Sequence, residues 1–196
     1  MTAHPKIAPE LQLTVEEFLA FTDTRPDGER WELIEGMAIM NPSPTDFHQI
    51  VVMNIAGYLA LEKLRSGAGW LPLLGIGTRV PASANSLPQP DVMVKAEPGT
   101  GSPVSDESLV LFEVLSPSNT KADQAWRRKV YSSVPNCAHY VTVAMKAAEI
   151  VVHDRAHDWK SRTVFGITET VALPAIGVSL PLIEVYRWTP LAAAAN

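Results

Sequence analysis

A single cysteine, Cys137, stands among the 196 residues. That excludes an intramolecular disulfide and a cysteine-built zinc cluster, and it leaves the thiol as packing rather than redox chemistry. The longest apolar stretch, about 50 to 61, is interrupted by Asn54 and falls short of the ~20 residues that cross a bilayer. No basic, apolar, small-residue signal pattern opens the chain, so the expectation is a soluble, cytoplasmic protein without a membrane partner. There is no internal repeat, and Gly75-Ile76-Gly77 lacks the further glycine and helix of a dinucleotide fingerprint. Basic charge is scarce as well. Lys and Arg number 16 against 21 Asp and Glu, a net −5, and such a field repels a polyanion unless the cations cluster. They cluster twice, at Arg127-Arg128-Lys129 and more weakly over Lys160 to Arg162.

What the chain has in quantity is apolar sequence. With 46% hydrophobic and 19% charged residues, its length fits one compact domain with a substantial core. Within this apolar background two carboxylates sit in strand-like runs, Asp91 in Pro90-Asp91-Val92-Met93-Val94 and Glu113 in Leu109 to Leu115. An ionised carboxylate is costly to bury unless it is paired, hydrogen-bonded or bound to a metal. Two that converge make a divalent-cation site, and the basic helix after the second run would supply positive charge beside it. The combination points to metal-dependent phosphodiester chemistry.

The periodicities predict an α/β fold with an antiparallel component. Thr14 with Glu17 three residues later is a capping box opening a short helix to about Phe21. A hairpin follows, Trp31 to Ile34 and Met37 to Met40 about a Glu35-Gly36 turn, and Asn41-Pro42-Ser43-Pro44 ends it. From Asp46 to Leu64, His48, Val52, Ile55 and Leu59 recur at helical spacing and share a face. Strands are predicted over Leu71 to Val80, Asp91 to Lys95, Leu109 to Leu115 and Tyr140 to Ala144, with a helix over Lys121 to Ser133 and a hairpin of Glu149 to Asp154 with Thr163 to Ile167. Segments 81–89 and 97–107 read as loops. Residues 1–11 read as an N-terminal arm and 171–196 as an irregular tail. That tail is apolar from Val171 to Leu191, with Tyr186 and Trp188, more than a small domain leaves solvated, so a homodimer is expected.

The series WELIEGM at 31–37, NPSPTDFH at 41–48, PDVMV at 90–94, LFEVLSPS at 111–118 and an Asp123, Arg127, Tyr131 ladder resembles the Uma2 family of restriction-endonuclease-like nucleases across about 12–155. The resemblance implies the PD-(D/E)XK fold, here a central mixed sheet flanked by helices with an added N-terminal hairpin. It also implies a divalent metal and hydrolysis of nucleic acid, DNA being the expected substrate. In the superfamily pattern a lysine stands two residues after the strand glutamate, where this chain has Leu115. The resemblance assigns a displaced lysine to position 127, where this chain has arginine.

Strand alternation puts Leu111, Glu113 and Leu115 on one face. On the following helix Asp123, Arg127 and Tyr131 share a side, whereas Lys129 lies about 160° from Arg127, so both cannot enter one site. If the three strands are successive antiparallel neighbours, Asp91 lies beside the end of the strand carrying Glu113. The preceding helix would then bring His48 to that edge, and the hairpin would bring Glu32 within reach. The expected site is therefore Asp91 and Glu113 holding Mg²⁺ or Mn²⁺, Arg127 stabilising charge on phosphate, and His48 or Glu32 orienting water or completing the shell. Arginine cannot serve as a general base. With Leu115 and the acidic balance, this keeps two other readings open: a binding or structural relative with weakened chemistry, and a metal-dependent hydrolase of a smaller phosphorylated substrate.

Overall fold

The computed structural model describes residues 12–116 and 119–193; the arm expected over 1–11 lies outside them. The first helix, α1 (Val15–Thr22), carries the predicted capping box: Thr14 Oγ1 accepts the Glu17 N–H at 3.2 Å, and the Glu17 carboxylate accepts the Thr14 N–H at 2.8 Å. Strands β1 (Arg30–Ile34) and β2 (Met37–Asn41) form a hairpin in which Glu32 pairs with Ile39. Its Glu35-Gly36 turn has φ of 50° and 82°, the left-handed pair that matches the twist of a two-residue hairpin. Then comes α2 (Asp46–Ser66), opened by Thr45 accepting the His48 N–H and closed by Gly67 in the left-handed region.

The strands that follow are β3 (Trp70–Leu73), β4 (Gly77–Thr78), β5 (Val92–Ala96), β6 (Val104–Ser105) and β7 (Val110–Leu115). The strand expected over 71–80 is therefore two pieces. Gly75, at φ 70°, turns the chain out of the sheet after Leu73, and β4 pairs instead with β6, inside a stretch expected to be loop only. The helix α3 (Lys121–Tyr131) connects β7 to β8 (His139–Ala144), and β9 (Glu149–Asp154) and β10 (Lys160–Phe165) form the predicted hairpin.

Together these make a mixed six-stranded sheet ordered β10-β9-β8-β7-β5-β3, antiparallel throughout except for the parallel β7–β8 pair that α3 crosses over. Alternation along β7 assigns the two faces. Val110, Phe112 and Val114 pack with Val51, Val52, Ile55 and Leu59 of α2. Leu111 packs with Met93 of β5 and with Val130 and Tyr131 of α3. One helix covers each face, and Glu113 points to the α3 side.

The C-terminal segment is not an irregular tail. It forms β11 (Thr170–Leu173) and β12 (Val178–Pro181), an antiparallel pair, then α4 (Leu182–Val185) and α5 (Pro190–Ala193). Val171, Leu173, Val178, Leu180, Leu182, Val185 and Tyr186 are buried in the same core as α2. Asn54 of α2 donates to the carbonyls of Val185 and Arg187 at 3.1 and 2.7 Å, which explains the polar residue inside an apolar helix face. The apolar surface that led to the expectation of a homodimer is thus covered by the chain itself, although Trp188 stays 67% exposed. Among the described residues no helix is long and apolar enough to cross a membrane.

Candidate active site

The start of β5 and the end of β7 lie side by side, as antiparallel neighbours must. Val92 pairs with Phe112, and the Asp91 N–H donates to the Phe112 carbonyl at 3.0 Å. Asp91 Oδ2 accepts the Val114 N–H at 2.8 Å, which fixes its carboxylate beside the residue preceding Val114, Glu113. The N-terminal turn of α2 arrives at the same edge. His48 Nε2 is 3.4 Å from Asp91 Oδ2, while its buried Nδ1 has no partner among the described residues. With the proton on Nε2, His48 steadies Asp91 and leaves Nδ1 as a free acceptor.

The hairpin closes the site from above. Leu33 exchanges backbone hydrogen bonds with Leu87, and the Trp126 indole of α3 donates to Glu35 at 3.1 Å. Held on both sides, β1 turns Glu32 inward against α3. Arg127 Nη2 donates to Glu32 Oε2 at 2.7 Å and Nη1 to Glu32 Oε1 at 3.2 Å, a bidentate pair, while Nη1 also reaches Glu113 Oε1 at 2.9 Å. Tyr131 donates its hydroxyl to Glu113 Oε1 at 2.8 Å. Asp123 lies 3.6 Å from Arg127 Nε. Glu32, Glu113 and Arg127 are 3%, 7% and 8% exposed.

All five side chains expected at the site, Glu32, His48, Asp91, Glu113 and Arg127, line one open cleft of about 470 Å³. Arg128 and Lys129 are exposed, and only the first residue of the basic stretch, Arg127, enters. The Arg127 guanidinium is buried, and its main partners come from β1 and β7 rather than from Asp123 on its own helix. Two further residues were missed. Arg30 stands 3.8 Å from Asp91 Oδ1, and Gln89 donates its N–H to Glu32 Oε1 at 2.7 Å. Arg30 was detectable, since it lies two residues before Glu32 on the same strand face; Gln89 contributes through its backbone and has no sequence signal.

The electrostatics follow from this crowding. Burial pushes the Glu113 carboxyl up to about 8; Arg127 and the Tyr131 hydroxyl oppose that, and the Asp91 and Glu32 charges reinforce it. Burial also works against the Arg127 charge, but Glu113 and Glu32 outweigh it and hold the guanidinium well above its ordinary range. Glu113 Oε1 already accepts two hydrogen bonds, so Oε2 is the atom left for a proton or a cation. Three carboxyl groups thus face one buried guanidinium and one partly exposed Arg30. Among the described residues no three acidic, histidine or cysteine side chains converge as a ready-made chelate. Two carboxylates with an open remainder still fit Mg²⁺, which keeps several waters and shares its shell with substrate phosphates.

A family model described as "Putative restriction endonuclease" (Uma2) matches residues 15–182. The fold is similar to the crystal structure of a "putative nuclease" from Anabaena variabilis ATCC 29413, with a TM-score of 0.72 at 15% identity, over 90% of this chain and 98% of that one. Among curated proteins none matches.

Proposed function

We propose, from the premise that the chain belongs to the Uma2 family of putative restriction endonucleases, that it is a Mg²⁺- or Mn²⁺-dependent endonuclease hydrolysing phosphodiester bonds of DNA. The observation that carries this reading is the meeting of Asp91 and Glu113 at one end of neighbouring strands, both lining an open cleft. A divalent ion held there supplies a more acidic bound water and a polarised phosphate.

The chain's own residues do the rest. Asp91 and Glu113 would hold the ion, Asp91 already aimed by the Val114 N–H and by His48. Glu113 gives up the proton it keeps near neutrality when the ion arrives. His48, through Nε2, holds Asp91 at the cleft. Arg127 ties Glu113 to Glu32 and so orients the carboxylate; a phosphate entering the cleft would meet the same guanidinium and compete with Glu32 for it. Arg30, at the mouth, is available to a flanking phosphate.

Two measurements test the proposal. Calorimetric titration with Mn²⁺ should show binding by the wild type and none by Asp91→Ala, and cleavage of plasmid DNA should require the metal and vanish with the same change. A second reading is favoured by the saturation of Arg127 with protein carboxylates and by Leu115 in place of lysine: a scaffold that keeps the fold without the chemistry. Absence of both Mn²⁺ binding and cleavage in the wild type would select it.

A further inference from the structure

Eight large apolar side chains stand exposed among the described residues, and six of them gather on α2 and its flanks. Met53, Leu61 and Leu64 are on the helix itself, 50%, 49% and 79% exposed. Leu74 borders one flank, beside Gln49 and Val52. Ile183 and Trp188 border the other, where Asn54 binds the carbonyls of Val185 and Arg187. Exposed apolar residues are ordinarily scattered singly, and a contiguous patch of them marks an interaction surface.

The patch has the pattern of a helix seam. At about 100° per residue, Ile50, Met53, Gly57, Ala60, Leu61 and Leu64 fall within one arc of about 100°, turned away from the core residues Val51, Val52, Ile55 and Leu59. No polar side chain enters that arc between Asp46 and the end of the helix. Ile50, Met53, Gly57, Ala60 and Leu64 follow one another in alternating steps of three and four, the spacing of a coiled-coil seam.

This face is complementary to itself. Met53 and Leu61 lie four residues either side of Gly57, and Ile50 and Leu64 lie seven residues either side. A two-fold contact needs that symmetry, because residue i meets j wherever j meets i. Gly57 has open space where a Cβ would stand, so at the centre two helices can approach to the short end of the ~8–10 Å packing range. Asp46 is in the first turn, and Lys63 and Arg65 are in the last. Antiparallel pairing therefore brings unlike ends together and sets the two helix dipoles in opposition, whereas parallel pairing would juxtapose like ends. The 21 residues of α2 span about 31 Å. A strip of that length and about 20 Å wide, flanks included, comes to roughly 600 Å² per partner, at the lower end of specific interfaces.

We infer that this face of α2 binds a second copy of the chain as an antiparallel helix pair, with Gly57 on the two-fold axis, Met53 against the partner's Leu61 and Ile50 against the partner's Leu64. His48 stands on the opposite side of the same helix, against Asp91, so the contact does not use it. The inference is independent of the proposed nuclease activity.

Sedimentation equilibrium reaching tens of micromolar should give the wild type twice its 21.3 kDa chain mass. Gly57→Arg sets two like charges against each other on the axis and should weaken the dimer on the order of a hundredfold or more. In the single chain the new side chain meets open space, so the far-UV circular dichroism should be kept. Leu64→Glu should weaken the dimer likewise, and it decides the matter if Gly57→Arg fails to fold. Phe165→Glu, at an exposed apolar position on β10, should leave the dimer intact. On mild oxidation Gly57→Cys should form an intermolecular disulfide and Leu64→Cys should not, because in the antiparallel register only the axial position meets its own copy within disulfide reach. A monomeric wild type, a dimer as tight in Leu64→Glu as in the wild type, or a disulfide formed as readily by Leu64→Cys as by Gly57→Cys would each overturn the inference. Capture of a monomeric wild type by phosphatidylglycerol vesicles, lost in Leu64→Glu, would overturn it in favour of a membrane surface.

Discussion

Replacing Arg127 by methionine keeps most of the side chain's bulk and removes its charge, which strands Glu32 at 3% exposure with only the Gln89 N–H for company. Breaking a buried pair in this way costs about 3–5 kcal/mol, because a desolvated charge is left without a partner. Glu113 softens the loss: with its carboxyl pushed up to about 8 it is largely protonated at pH 7, so the stranded charge is mainly that of Glu32. An effect near 3 kcal/mol is expected. At about 2–4 °C per kcal/mol for a chain of this size, the melting temperature should fall by roughly 6–12 °C at pH 7.5. Glu32→Gln added to Arg127→Met should recover much of it, with a coupling energy above about 2 kcal/mol in a double-mutant cycle. Thermal melts of the four proteins, with urea titrations for the free energies, make the measurement. A coupling below about 1 kcal/mol, the scale of a solvated surface pair, would refute the reading of Arg127 as a buried clamp.

Glu113 makes metal-free stability depend on pH in a defined direction. Its folded value, about 8, lies above the ordinary 4.5, so between those values the native state keeps a proton that the unfolded chain has lost. Its contribution is therefore fully present below about 4.5 and is lost as pH rises through about 8. The wild type should lose stability over that window relative to Glu113→Gln. Calorimetry of Mn²⁺ binding in two buffers of different ionisation enthalpy should show close to one proton released at pH 7 and little above pH 9; no difference between buffers at pH 7 would contradict the protonated Glu113. Asp91→Asn preserves an acceptor for the Val114 N–H and removes the charge, so cleavage should drop on the order of a hundredfold or more while the melting temperature moves by only a few degrees. Leu180→Ala, in the segment read from sequence as a loose tail but fully buried, should cost about 2–5 kcal/mol, read as a lowered urea midpoint; an unchanged midpoint would show that β11 and β12 are not part of the core.

The sequence by itself determined the elements and much of the site edge. Strand and helix periods are local properties, so the alternation around Glu113, the helical spacing of His48, Val52, Ile55 and Leu59, and the capping at Thr14 could be assigned without any tertiary information. Antiparallel order then carries Asp91 to Glu113 and His48 to Asp91, because strand direction alone decides which ends meet. Only the tertiary structure decided what Arg127 does. Its bidentate partner Glu32 lies 95 residues away on a hairpin whose placement depends on Trp126, Ser86 and Leu87 holding it against α3, and no local period encodes that docking. The C-terminal segment was misjudged for the same reason: four-residue strands broken by prolines carry too few residues to show a period, and their order comes from apolar surface on α2 that needs cover.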